Sequence, residues 1–358
     1  MKILFLTRRY HPCIGGVEKH VLKVAKCLIK KGHEITVVSE LSTSEEFRSP
    51  IPPPRRSPFG SPSEVSPWLT IPVGKSEKLK KFKIWWWLFK NRTLINQSDI
   101  VHAHDVAFWY LPFRFLYPKK RFYITFHGWE GKYPIPIRNK IIRKISEKLA
   151  WGNICVGSYI EKWYGTKPDY ITYGGVSLFP PPRRSPFGSP SEVSKNSKIL
   201  FIGRLEEDTG LPVYLKAIRQ FKSLKDSKFK IVFLGDGKLR KEAEKYGKVL
   251  GFVENIRPYV LQSRFIFTSG YLSILEAMLN KKLVFAVDDN FLKKDYLEMA
   301  PFAKWIIIEK NPKKLQEKIK YYFSHPEEEK KLVNKAYNWV KGQTWEKVTN
   351  IYLKLWEK

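Results

Sequence analysis

The chain has 358 residues, long for one domain and comfortable for two, and its 43% hydrophobic share can fill two cores, which excludes wholesale disorder. Lys+Arg 65 against Asp+Glu 34 gives a formal charge of +31, which predicts attraction to nucleotides, anionic lipid surfaces or nucleic acid without choosing among them. Three cysteines, Cys13, Cys27 and Cys155, form no CxxC pair and point to a reducing compartment, with neither a disulfide framework nor a zinc site. No zinc-finger spacing, RNP motif or KH loop accompanies the charge, so nucleic acid is the minority reading. The N-terminal MKILFLTRRYHP lacks a small-residue cleavage site and reads as a buried first strand. No uninterrupted apolar stretch approaches the ~20 residues that span a bilayer. The expectation is a cytoplasmic protein, peripheral at the membrane face.

In chain order, KILFLT (2–7) predicts a strand, followed by the glycine-containing loop HPCIGG and a helix over 17–31 with Val21, Leu22, Ala25, Leu28 and Ile29 on one face. Strands follow at EITVVS (34–39), WLTIPV (68–73), DIVHAH (99–104), RFYITFHG (121–128) and ICVGS (154–158). The segment 75–92, KSEKLKKFKIWWWLFKNR, reads as a helix with Leu79, Phe82, Trp86 and Phe89 on one face. Its plain role is to cover the sheet with its aromatics in the core. Three consecutive tryptophans cannot all face inward, however, and a basic-aromatic surface suits a lipid interface. A second basic helix is predicted over 137–150, carrying Arg138, Lys140, Arg143, Lys144 and Lys148.

The rhythm then restarts with KILFIG (198–203), KIVFLG (230–235), RFIFTS (264–269) and KLVFAV (282–287), each preceding a helix. Alternating strands and helices, twice over, predict an α/β protein of two doubly wound, Rossmann-like domains. An amphipathic helix over 344–358 ends the chain. One feature stands apart: PPPRRSPFGSPSEVS occurs at 52–66 and, identically, at 180–194. Its composition cannot build a core and suits an exposed, inert insertion.

Candidate chemistry sits at strand ends. Gly15 and Gly16 open the first helix, where backbone N–H groups and the helix dipole face an anion. Arg204 follows the strand KILFIG and has the charge and geometry to pair with a diphosphate. Glu276, in YLSILEAMLN after RFIFTS, is placed to accept two ribose hydroxyls. His127 ends a strand and faces the usual ligand crevice of a parallel sheet. His102 and His104 share one side of a strand, but no third ligand is evident nearby, and the Asp288–Asp289 pair is an ordinary loop feature, so no metal is expected.

Taken together, YHPCIGGVEKHV, DIVHAHD, ITFHGWE, YGGV, ILFIGRLEEDTGL, FLGDGKLR, LGFVENIRPYV and SILEAM resemble, in order and spacing, the retaining family 4 glycosyltransferases of the GT-B fold. The resemblance covers nearly the whole chain outside the duplicated segments. It implies two domains facing across a cleft, with a nucleotide-sugar donor as substrate, no cofactor and no metal. It implies that Gly15 and Gly16 close over donor phosphate and acceptor, that His127 contacts the transferred sugar, and that Arg204 holds the diphosphate. Gly251, Phe252 and Val253 would lie beside the base, and Ser273, Ile274, Leu275 and Glu276 around the ribose. The sequence departs from the family where a lysine is usual, at Thr209, and where a first glutamate is usual, at Thr268. The usual Asn-Gly-Val-Asp turn reads Gly174-Gly175-Val176-Ser177.

The implied organisation is an acceptor-side domain over 1–177 and a linker over 178–197. A nucleotide-sugar domain over 198–343 follows, and a helix over 344–358 packs back on the first domain. The expected function is transfer of a sugar to a lipid-linked or cell-envelope glycan, at an anionic membrane surface. The rival is a catalytically silent nucleotide-sugar-binding or scaffold subunit of a glycan-assembly complex, favoured by the missing lysine and glutamate.

Overall fold

The structure is a computed structural model that describes residues 1–11, 13–40, 68–72, 79–128, 133–178, 198–222 and 230–358. The duplicated segments at 52–66 and 180–194 lie outside the described residues, as do 75–78 and 129–132. The chain divides into two compact units, Met1–Thr172 with Trp345–Lys358, and Tyr173–Thr344.

In the first unit, β1 (Lys2–Thr7) leads to α1 (Gly16–Lys30), β2 (Glu34–Glu40) and β3 (Trp68–Ile71). Then come α2 (Lys80–Lys90), α3 (Thr93–Gln97), β4 (Ile100–His104), α4 (Ala107–Leu116) and β5 (Arg121–Phe126). α5 (Ile137–Leu149), β6 (Gly152–Val156), α6 (Tyr159–Tyr164) and β7 (Tyr170–Thr172) complete the sheet. The seven strands are all parallel, in the order β3-β2-β1-β4-β5-β6-β7. Residues 3–7 of β1 and all of β4 and β6 are buried, as expected of parallel strands covered on both faces. The order reverses between β1 and β4, which makes their C-terminal ends the switch-point crevice.

The second unit comprises β8 (Lys198–Ile202), α7 (Leu211–Lys222), β9 (Lys230–Leu234), α8 (Arg240–Glu244) and β10 (Lys248–Val249). It continues with α9 (Arg257–Leu261), β11 (Phe265–Phe267), α10 (Tyr271–Leu279), β12 (Leu283–Ala286) and α11 (Phe291–Glu298). β13 (Ile307–Ile308), α12 (Pro312–Ser324) and α13 (Pro326–Val340) end it. Six parallel strands run β10-β9-β8-β11-β12-β13, reversing at β8. The late helices start where sequence dictates: the Asn311 side chain accepts the Lys313 and Lys314 N–H groups with Pro312 at the first position. Glu327, Glu328 and Glu329 fill the first turn of α13.

The last helix, α14 (Trp345–Glu357), belongs to the first unit and packs on α1. The boundary expected at residue 177 moves earlier. Val176 donates to the Gln343 carbonyl at 2.8 Å and pairs with Thr344, and the Tyr173 ring packs tilted against Tyr271 and edge-on to Phe302, so 173–177 belong to the second unit. The face of α2 also differs from expectation. Ile84 and Leu88 enter the core, while Leu79, Phe82, Trp86 and Phe89 are exposed. Trp85 is anchored by its indole N–H to the Phe108 carbonyl at 2.9 Å. In α1 the buried stripe includes His20 and Val24 in place of Leu22 and Ile29. The strand expected at 154–158 runs two residues earlier, because Gly157 turns the chain with φ 106°.

Candidate active site

In the first unit the polar groups gather at the ends of β4 and β5. Alternation along β4 puts His102 and His104 on one side of the sheet, where α14 covers them. Trp356 donates its indole N–H to His102 Nδ1 at 3.1 Å, and His102 Nε2 lies 2.7 Å from Thr125 Oγ1. Thr125 donates to the Tyr352 hydroxyl at 3.0 Å, and that hydroxyl lies 3.0 Å from His20 Nε2. Beside this chain, His104 Nδ1 lies 2.9 Å from Nε2 of the half-buried His127. Burial pushes His20 and His102 down to about 3, and holds His104 and His127 well below the usual imidazole range. All four rings are therefore neutral at pH 7.

The backbone around His127 is held as firmly as its ring. Asp105, with φ 61°, turns back so that its carboxylate accepts the His127 N–H at 2.9 Å. Buried Arg143 of α5 donates to the Gly128 carbonyl at 2.6 Å and lies 3.8 Å over the Tyr164 ring. Gly15 is the extended residue preceding α1, and a Cβ there would meet the Glu18 carboxylate at 2.2 Å. A Cβ on Gly16 would meet nothing within 4 Å. Among the described residues, the opening of α1 thus holds space at Gly16 and the protein's own carboxylate at Gly15.

In the second unit, Arg204 follows β8 with its side chain 59% exposed and pairs with Asp208 at 2.6 Å. The turn between them closes on Thr209, whose hydroxyl donates towards the Arg204 and Glu206 carbonyls at 3.0 and 2.7 Å. Two glycines bring the neighbouring backbone close. A Cβ on Gly235 (φ 146°) would fall 1.8 Å from the Gly203 carbonyl oxygen, and one on Gly237 (φ 155°) 2.5 Å from that of Leu205. Gly251 (φ 73°) accepts the Gly235 N–H at 2.7 Å, which joins the 251–253 segment to the same strand ends.

Sequence reasoning missed one cation here. Lys293, only 5% exposed, donates to the Asp208 carbonyl at 3.1 Å and lies 3.6 Å from the Asp289 carboxylate. Burial lowers its pKa, opposed by Asp289 and Asp208. The four-residue spacing between Asp289, just before α11, and Lys293 in its first turn was the only signal available in the sequence.

Two family models match the chain: "Glycosyltransferase Family 4" over residues 14–171 and "Glycosyl transferases group 1" over residues 186–339. The chain is a family 4-like glycosyltransferase. A Campylobacter jejuni GalNAc-alpha-(1->4)-GalNAc-alpha-(1->3)-diNAcBac-PP-undecaprenol alpha-1,4-N-acetyl-D-galactosaminyltransferase is 31% identical over 104 residues, which is 27% of this chain and 29% of that protein. Two solved structures share the GT-B fold. A glycosyltransferase from Rickettsia africae has a TM-score of 0.71 at 19% identity, covering 100% of this chain and 99% of its own. Anabaena HepE in complex with UDP and glucose has a TM-score of 0.70 at 14% identity, covering 99% and 98%.

Within this glycosyltransferase, the residues expected at the site fall into groups. Gly15, Gly16 and His127 belong to the first unit, where the His20 ring touches the His127 ring at 4.7 Å. Arg204, Thr209, Gly251, Phe252 and Val253 surround the ends of β8 and β9. Ser273 and Glu276 are half-buried on α10, and Glu276 stands in its second turn, beyond the reach of a first-turn dipole effect. Ile274 and Leu275 lie beside them on α10. Both side chains are wholly buried in the core. Thr268 is also buried, its N–H bonded to the Phe285 carbonyl at 3.2 Å.

Proposed function

We propose that this glycosyltransferase moves a sugar from a nucleotide-diphosphate sugar to a lipid-linked or cell-envelope glycan, with retention of configuration, at the cytoplasmic membrane face. The observation that carries the donor reading is Arg204. It is a half-exposed guanidinium at a switch-point strand end, beside backbone that Gly235 and Gly237 draw close. A diphosphate displaces the Asp208 carboxylate from Arg204, one anion exchanging for another on the same fork. In the transfer, the acceptor oxygen bonds to the anomeric carbon as the bond from that carbon to the phosphate oxygen breaks. Both events occur on one face, and the acceptor proton passes to the leaving phosphate. Arg204 stabilises the charge that develops there, and His127 orients the moving sugar. No metal is required. The C. jejuni relative's undecaprenol-diphosphate substrate supports a lipid-linked acceptor.

The first unit's surface supports the membrane reading. α2 turns Phe82 and Trp86 (60% exposed) to solvent, α4 ends in exposed Phe115 and Leu116, and α5 exposes Ile137 (75%), Ile141 and Ile145. α2 and α5 both pack on α4. Lys90 lies 5.2 Å over Trp86 and Arg92 5.1 Å over Phe89, and Lys81, Lys83, Arg138 and Lys140 on the same two helices are exposed. Apolar side chains accompanied by cations match an anionic bilayer surface in both chemistry and charge.

A screen of nucleotide sugars for thermal stabilisation and slow hydrolysis tests the enzyme reading. Stabilisation by one donor with hydrolysis supports it, and absence of both overturns it. A silent nucleotide-sugar-binding subunit is the second reading, favoured by Thr209, whose hydroxyl closes a turn where a cation is usual. Stabilisation without hydrolysis or transfer identifies that case.

A further inference from the structure

The four neutral imidazoles, three buried and His127 half-buried, share too few protons to leave their positions free. Trp356 Nε1–H only donates, so His102 Nδ1 is bare and its proton sits on Nε2, pointing at Thr125. Thr125 then gives its proton to Tyr352, and Tyr352 gives its own to His20 Nε2. Every donor in that chain is used once. The pair of His104 and His127 stands outside it, with one proton for the 2.9 Å gap between them.

Two arrangements of that proton are possible, and burial separates them. His104 is 1% exposed, and its Nε2 has no hydrogen-bond partner among the described residues. If His127 donated, His104 would carry its proton on Nε2, where no acceptor stands among the described residues and the Phe5 ring packs edge to face, 4.9 Å between centroids. If His104 donates from Nδ1, the orphan is a lone pair. Buried orphan N–H groups are rarer than buried orphan acceptors, and an aromatic face is a weak substitute.

We propose that His104 is a positioning residue: its Nδ1–H donates to His127 Nε2 and holds His127 as the Nδ1–H tautomer. His104 and the adjacent Asp105 then grip His127 by ring and by main chain, since Asp105 accepts the His127 N–H. The remaining ring atom of His127 is a donor. It suits a sugar hydroxyl or phosphate oxygen, and it leaves His127 without a free lone pair to act as a base. The proton arrangement stands on the hydrogen-bond geometry of neutral rings. Its use in catalysis rests on the reading that His127 contacts the transferred sugar.

Long-range 1H–15N spectra of the ligand-free protein at pH 7, with His127 assigned by loss of its signals in His127→Gln, test the arrangement directly. The expected result is a pyrrole-like Nδ1 and a pyridine-like Nε2 in the wild type. A pyrrole-like Nε2 on His127 overturns the proposal, and this measurement needs no variant of His104 to fold. His104→Phe should release His127 to a tautomer mixture, while His104→Asn, which keeps an N–H near the Nδ1 position, should preserve it. With the donor identified by the stabilisation screen, hydrolysis should fall about tenfold in His104→Phe and recover in His104→Asn. A lost tautomer with unchanged hydrolysis in His104→Phe overturns the positioning role. Unchanged hydrolysis in His127→Ala refutes instead the sugar contact, leaving the tautomer result intact.

Discussion

The Tyr352 hydroxyl lies 3.0 Å from Nε2 of His20, joining the last helix of the chain to the first across 332 positions. Tyr352 and Trp356 are both fully buried, so α14 is a wall of the first unit's polar cluster. The arrangement makes that unit sensitive to acid.

His20, His102, His104 and His127 are all held below their ordinary value of 6.5, His20 and His102 at about 3. Between the folded and unfolded values the unfolded chain binds more protons. Stability is therefore full above about pH 6.5 and is lost as pH falls from there towards 3. Each ring adds up to about 1.4 kcal/mol per pH unit to the slope. Urea unfolding at pH 7, 6 and 5 should show a steady fall, shallower in His20→Gln. A flat profile would mean that the rings titrate in the fold as they do in the unfolded chain.

Asp208 occupies the Arg204 guanidinium that a diphosphate would need. Titration calorimetry with a panel of nucleoside diphosphates should show tighter binding for Asp208→Asn. Arg204→Ala removes hydrogen bonds to a charged group worth about 1.5–3 kcal/mol, and binding should fall below detection. Thr209→Lys should strengthen binding or leave it unchanged. Equal affinity in wild type and Arg204→Ala would remove Arg204 from the site.

Gly235 is held at φ 146° with the Gly203 carbonyl where a Cβ would go. Gly235→Ala forces the ends of β8 and β9 apart and should cost at least ~2 kcal/mol, from conformational strain together with the clash. Thermal unfolding of the variant checks this. An unchanged midpoint would show that the two strand ends separate freely.

Vesicle sedimentation addresses the exposed surface of α2, α4 and α5. Binding should be stronger to anionic than to neutral vesicles and should weaken with salt, each basic residue contributing only about 1 kcal/mol. Trp86→Asp and Ile141→Asp should each reduce it, because both side chains are exposed and apolar in the free protein. Equal binding to both kinds of vesicle would overturn the electrostatic part of the account.

The sequence by itself determined the two sheets. KILFLT and KILFIG are continuous apolar runs because parallel strands are covered on both faces, and that requirement is written locally in each strand. It also placed His127 and Arg204, since a polar residue that ends such a run stands at the mouth of the sheet. The edge strands β7, β10 and β13 were not legible, because two or three residues carry no period. Which face of α2 enters the core was decided by the neighbouring α4, not by the helix's own pattern. The setting of the histidines was decided by tertiary structure as well. His20, His102 and His104 meet Tyr352 or Trp356 only because α14 returns to the first unit, and a contact across some 250 to 330 positions leaves no trace in local spacing. The same holds for Lys293, a surface residue by composition that folding buries beside Asp208.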